Sequence, residues 1–273
     1  MDSAHQILAA ELFFKTAAPA LVREVAGTLA SAQIPVMPLK GVLLQQLVYR
    51  TSFRAMSDVD LLVPPSLFVR AREILRRAGF QVFGVGQDVL RRSGFILEID
   101  LHRKLSTTTR SRLLPEDMFR RGRTDVELFG VSVVIPDGRD LFAHLLLHLT
   151  LHWITHGVLH HPEDLEAVSE ALALSVPSLA SHLRAVGLEP HAQLMLPLVE
   201  EQRPGRFTRS LRATLVPAPR LLARAEIARA IAARSAPGSF GRRLGGALLS
   251  PSLSEAFREA ILARIYSRQR SSD

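Results

Sequence analysis

The sequence of 273 residues has no cysteine, one tryptophan, two tyrosines and only three lysines among its 34 basic residues. Without cysteine there can be no disulfide framework, no cysteine-ligated zinc and no thiol catalysis. No run of about 18 apolar residues occurs, which argues against a membrane-spanning helix. The opening Met1-Asp2-Ser3-Ala4-His5 lacks the basic patch and apolar stretch of a secretion signal. The expectation is a soluble, cytoplasmic protein with no membrane partner. Against these absences stands a hydrophobic content of 47%, enough for a substantial core in one large domain or two ordinary ones.

The formal charge of +8 is unevenly distributed. Residues 1–202 carry 20 basic and 22 acidic residues, whereas residues 203–273 carry 14 arginines against four acids. A guanidinium-rich block of this kind can attract phosphate-bearing partners, so nucleic acid is a possible ligand of the region from 203 onward. The plainer reading, which we favour, is a solvated helical face.

Hydrophobic periodicity predicts two opening helices, near Ala4–Phe14 and Pro19–Ala32, and then an extended segment Ile34–Leu39, whose prolines disfavour helix in the residues before them. Lys40-Gly41 turns into a helix reaching about Tyr49. Val59–Val63 reads as a strand ended by Pro64-Pro65, and a helix runs on to Gly79. Two further strands, Phe80–Val85 and Phe95–Leu101, are expected as a candidate hairpin, and Val126–Ile135 as an extended region turning at Phe129-Gly130. From Asp140 the pattern is helical, with breaks near Gly157, Pro177, Gly187, Pro204-Gly205 and residues 235–246. The fold class is therefore α+β, a mixed β-sheet flanked by helices followed by an all-helical C-terminal region. The expected domains are 1–136 and 137–273.

The chemistry concentrates in Asp58-Val59-Asp60 and in Glu98-Ile99-Asp100-Leu101-His102. Residues i and i+2 of a strand share a face, so Asp58 and Asp60 stand side by side while Val59 and Leu61 enter the core. The same period sets Asp100 with Glu98 and His102. If the strands are neighbours, three carboxylates converge, and their mutual repulsion is best relieved by a hard divalent cation, Mg2+ or Mn2+. The plain alternative is a solvated acidic strand face. Upstream, Gly41 lies between a short strand and a helix, where backbone N–H groups can meet phosphate and Lys40 adds a positive charge.

Together these segments resemble the polymerase-beta-type nucleotidyltransferase superfamily, and more specifically its uncharacterised bacterial nucleotidyltransferase family. The matching residues are Leu39-Lys40-Gly41, Tyr49, Arg54, Ser57 to Val63, Ala78-Gly79-Phe80 and Ile99 to His102. The likeness is close over 34–105 and looser beyond, through His144, His148 and Asp164-Leu165. It implies a magnesium-dependent enzyme that transfers a nucleoside monophosphate from an NTP such as ATP to an acceptor hydroxyl, releasing pyrophosphate. Asp58, Asp60 and Asp100 would be the catalytic and metal-binding acids, with Asp100 acting on the acceptor. Most relatives follow the glycine with serine or a second glycine. Here Val42 follows Gly41, so Lys40, Arg54 or Ser57 is expected to take over the phosphate contact.

Other features remain open. His144, His148, His152, His156 and His160 recur at i, i+4, a spacing that suits two metal ligands on a helix. Each step rotates by about 40° around the helix, so only neighbours could share an ion, and the preferred reading is a packed helix with one or two histidines facing a cleft. His148 and Asp164 are candidate acceptor contacts. Asp164 is alternatively a helix-start acid, and His102 a partner of Asp100 or an edge residue. The acceptor could be a small molecule, a peptide or RNA. The rival functions are a noncatalytic nucleotide- or nucleic-acid-binding module of the same fold and a tRNA-modifying toxin.

Overall fold

In the computed structural model the residues described are 3–83, 89–94, 97–105, 111–215, 219–236 and 247–249. The chain divides into two units, one made of residues 1–105 and 114–137, the other of 106–113 and 138–273. Among the described residues no helix is long and apolar enough to cross a membrane.

The first unit opens on a single helix, α1 (Ser3–Ala30), where the sequence pattern suggested two. Pro19 lies inside it. An interior proline costs about 3 kcal/mol through its missing N–H and its ring clash. Buried Leu21, Val22, Val25 and Leu29 just beyond it offset this, each contributing on the order of 1.5–3 kcal/mol. The packing of that stripe keeps the helix continuous.

After α1 come β1 (Met37–Pro38), α2 (Lys40–Leu47), β2 (Asp58–Leu62), α3 (Phe68–Arg77), β3 (Gln81–Phe83), β4 (Val89–Arg91) and β5 (Glu98–His102). The sheet order is β1-β2-β5-β4-β3. Among the described residues β2 and β5 pair in parallel and the other pairings in this sheet are antiparallel. Pro38, which has no N–H to donate, sits on the edge strand, where a lost ladder bond costs least.

The expected hairpin of the second and third strand candidates is corrected. β4, in a stretch that reads as merely charged, pairs with β3 and separates it from β5. Its signal is weak because only Leu90 of Val89-Leu90-Arg91 is buried. Arg91 pairs with Glu98 and lies over the Phe83 ring, 5.0 Å from its centroid. Val85 and Phe95, expected at the ends of those strands, lie outside the described residues. The helix α4 (Pro115–Arg121) and the hairpin β6 (Arg123–Leu128) and β7 (Val131–Ile135) complete the unit. Val134 donates to the Val36 carbonyl at 2.8 Å, joining the hairpin to the segment ahead of β1.

The second unit is helical: α5 (Gly138–His156), α6 (Asp164–Ala171), α7 (Val176–Ala185), α8 (Glu189–Gln202), α9 (Arg206–Thr214) and α10 (Pro219–Ala233). α5 is buried over most of its circumference, as expected of a central helix. Fully buried Asp140 meets His182 Nε2 at 2.9 Å, tying the start of α5 to α7. Glu166 of α6 accepts hydrogen bonds from the Phe207 and Thr208 N–H groups (2.7 and 3.0 Å). It thereby satisfies donors that the first turn of α9 leaves unpaired. The break expected over residues 235–246 falls mostly, and the last arginines of the basic block wholly, outside the described residues.

Candidate active site

Strand periodicity and register together build the site. In the parallel pairing of β2 with β5, Asp58 stands opposite Glu98, Asp60 opposite Asp100 and Leu62 opposite His102. Val59, Leu61, Ile99 and Leu101 point into the core and are buried, while Asp58, Glu98, Asp100 and His102 are half-buried. Asp60 departs from the alternation: it carries a carboxylate yet is only 3% exposed. A buried charge must be paired, and two cationic or polar partners reach the same oxygen. Lys40 Nζ lies 2.5 Å from Asp60 Oδ1 and His102 Nε2 lies 2.8 Å from it. His102 Nε2 is also 3.4 Å from Asp100 Oδ2. His102 thus partners Asp60 first and bridges towards Asp100.

The electrostatics separate the two acids of β2. Burial raises the pKa of Asp60, but the His102 hydrogen bond and the Lys40 charge outweigh it and hold the carboxyl well below the usual range. Asp58 shifts the other way: burial and then the neighbouring Asp60 charge push it up, only partly offset by Lys40 and by Ser57. Ser57 Oγ donates to Asp58 Oδ1 at 3.2 Å.

The Lys40-Gly41 turn opens α2, as expected, and its two residues have separate parts. The residue in the left-handed region is Lys40, with φ of +44°, a conformation disfavoured for any residue with a Cβ. That strained backbone starts α2 and carries the amine to Asp60, and such strain is often found at functional sites. Gly41 is required for closeness. A Cβ there would stand 2.9 Å from Arg54 Nη1 and 2.9 Å from Met56 Cβ. Arg54 therefore packs against α2, and its Nη1 donates to the Ala55 carbonyl at 3.2 Å.

One residue of this site escaped the sequence reading. Gln45 of α2 is 6% exposed. Its Nε2 donates to the carbonyls of Tyr49 (2.5 Å) and Ser52 (2.9 Å), and its Oε1 accepts from the Arg54 N–H at 3.0 Å. One amide thus fixes the loop that carries Arg54 and leads to Ser57. The available signal was a glutamine directly after the apolar run Val42-Leu43-Leu44, at a buried position of the helix.

His148 and Asp164 belong to the second unit. His148 is half-buried on α5, and Asp164, 3% exposed, is the first residue of α6.

Asp60, Asp100 and His102 offer donor atoms all within 4.8 Å of one another. Two carboxylates and an imidazole form a donor set that fits a divalent cation, the carboxylate oxygens suiting Mg2+ and the imidazole also admitting Mn2+. Asp58 stands outside that close group, although it shares the strand with Asp60.

Seven chains of solved structures match, among them the following three, all at low similarity. The crystal structure of ANT(2")-Ia in complex with adenylyl-2"-tobramycin is 12% identical, with a TM-score of 0.43 over 61% of this chain and 97% of that one. The solution structure of the antibiotic-resistance factor ANT(2'')-Ia is also 12% identical, with a TM-score of 0.43 over 61% and 91%. An antigenic nucleotidyltransferase-like protein from Paracoccidioides brasiliensis is 14% identical, with a TM-score of 0.41 over 72% and 93%. No curated protein matches the sequence. Residues 10–203, which contain every residue of the site just described, match the family described as Uncharacterised nucleotidyltransferase, and the chain belongs to that family of transferases.

Proposed function

We propose that the protein is a metal-dependent nucleotidyltransferase that moves a nucleoside monophosphate from an NTP to an acceptor hydroxyl. The observation carrying this reading is the register that sets Asp60 opposite Asp100 on parallel strands, with Lys40 2.5 Å from Asp60. In the reaction the acceptor oxygen bonds to the α-phosphorus, the bond from that phosphorus to the bridging oxygen breaks, and pyrophosphate leaves.

Asp60 of β2 and Asp100 of β5 would hold the Mg2+ or Mn2+, with Asp58, two residues before Asp60 on the same strand, as a further acid at the edge of the group. When bound, the metal supplies charge neutralisation at the phosphate oxygens. Asp100, the more accessible of the paired acids at 22% side-chain exposure against 4% for Asp60, takes the acceptor proton. His102 orients both carboxylates. Lys40 serves the nucleotide by moving its ammonium from Asp60 to a phosphate oxygen, an exchange of one anion for another. Gly41 lets the Arg54 guanidinium lie against α2, where it adds a second positive charge for the triphosphate, and Ser57 contributes a hydroxyl at the edge of the site.

The test is transfer of label from α-labelled NTPs, with Mg2+ or Mn2+, to the small-molecule, peptide and RNA fractions of a cell extract. Label is expected in one fraction, and Asp60→Asn and Asp100→Asn should each abolish it. Full activity in Asp60→Asn at saturating nucleotide and metal would sink the assignment. Failure of the wild type with every nucleotide and fraction would favour a noncatalytic binding module.

A further inference from the structure

The two halves of α1 differ in what they bury. Beyond Pro19 the helix carries the buried stripe of Leu21, Val22, Val25 and Leu29. Residues 11–17, ahead of the proline, are half-buried or exposed, and Leu12 is 64% exposed. Core burial therefore gives little reason for this outer half to continue the helix. Its aromatic side chains supply one. Phe13 and Phe14 meet edge to face with ring centroids 5.4 Å apart, and Phe14 stacks on Phe53 at 6.2 Å with 29° between the ring planes. Both separations lie within the range of about 4.5–7 Å over which aromatic pairs attract.

Phe53 stands in the loop between α2 and β2. The peptide groups on either side of it are both held by Gln45: the Ser52 carbonyl accepts from Nε2 at 2.9 Å, and the Arg54 N–H donates to Oε1 at 3.0 Å. The loop is thus gripped from two helices, its backbone by an amide of α2 and the Phe53 ring by Phe14 of α1. Arg54 follows directly, with its guanidinium close over Gly41, and the loop runs on to Ser57, whose hydroxyl donates to Asp58. Phe14 and Phe53 are half-buried, so the pair adds little to the core. What it fixes is the orientation of the residue next to Arg54.

We propose that Phe14 is a positioning residue for the nucleotide: through Phe53 it holds the loop so that the Arg54 guanidinium is ready for the triphosphate. The outer half of α1 is then a support for the substrate loop. This rests on the reading above in which Arg54 serves the triphosphate.

Two measurements on the full chain test it. Hydrogen exchange at the Arg54 N–H, without nucleotide, reads the grip on the loop. Calorimetric titration with the nonhydrolysable α,β-methylene analogues of the NTPs, in Mg2+, reads its consequence. An aromatic pair of this kind corresponds to about two- to tenfold in an equilibrium constant. Phe14→Ala is expected to speed Arg54 exchange and to weaken nucleotide binding, each by a factor in that range. Phe14→Tyr, which keeps the ring, should match the wild type in both. Leu12→Ala, at an exposed position of the same helix, should change neither, which separates the ring pair from a general weakening of α1. A Phe14→Ala variant with a lowered Tm but wild-type exchange and affinity would make the residue merely structural and overturn the proposal, as would an equal effect of Leu12→Ala. If Arg54→Ala loses affinity and Phe14→Ala does not, the reading of the site stands and the role of Phe14 alone falls. If Arg54→Ala binds nucleotide as the wild type does, or the wild type binds none, the reading of the site falls and the proposal with it.

Discussion

Replacing Gln45 by alanine removes an amide that makes three hydrogen bonds, to Tyr49, Ser52 and Arg54, from a position 6% exposed. Each bond contributes about 0.5–1.5 kcal/mol net, and a backbone group left buried and unpaired costs about 1–3 kcal/mol. The expected loss is therefore about 2–4 kcal/mol if the loop keeps its path. If the loop frays and water satisfies the freed groups, the loss in stability shrinks and the effect moves to the site, because Arg54 is no longer held against Gly41. Urea denaturation reads the first outcome and the KM for the nucleotide reads the second. Gln45→Glu adds a sharper comparison. It keeps an oxygen acceptor for the Arg54 N–H but turns the amide donor into an oxygen facing two carbonyls, so it should be worse than alanine. Unchanged stability together with unchanged KM in Gln45→Ala would refute this account, as would a Gln45→Glu variant milder than the alanine one.

Three further outcomes are expected. Asp60, held below its ordinary value of 3.8, contributes stability that is present above that value and is lost as pH falls towards its folded pKa. Asp58, pushed up, works in the opposite sense. Urea melts over about pH 2.5–6 should therefore show a smaller acid-induced loss of stability in Asp60→Asn than in the wild type, and equal acid sensitivity would show that Asp60 is not paired in solution. Gly41→Ala forces a Cβ to within 2.9 Å of Met56 Cβ and Arg54 Nη1. It should lower stability by about 1–3 kcal/mol, read as a fall in Tm, and an unchanged Tm would mean that the loop yields freely. Glu166→Ala should cost about 1–3 kcal/mol through the two freed N–H groups at the start of α9. Hydrogen exchange at Phe207 and Thr208 should speed up, and unaltered protection there would contradict the capping role.

Much of the site was legible because strand geometry is local. The period of two sets Asp58 with Asp60, and Asp100 with His102, before any tertiary contact is considered, and burial of Val59, Leu61, Ile99 and Leu101 follows the same alternation. The strand β4 was hidden because a short antiparallel strand flanked by arginines has one buried side chain and so shows no alternation. Pro19 suggested a helix boundary because local propensity counts its missing N–H, whereas the apolar stripe that overrides it acts only once packed. Gln45 looked like an ordinary helix polar residue because its partners are backbone groups of a loop whose path the sequence does not state.

By itself the sequence determined which side chains share a face, where helices give way to strands, and that two acidic strands follow a glycine-bearing helix start. These depend on backbone periodicity and on the conformational limits of glycine and proline. Tertiary structure alone decided that β2 and β5 are parallel and that Asp60 faces Asp100, because register is chosen by the packing of whole strands. It also decided that Lys40 takes the left-handed conformation, so that Gly41 serves close approach, and that His160 returns to His152 beyond the end of α5. Each of these depends on segments distant in sequence or on a backbone turn, and neither is encoded in the spacing of residues along one element.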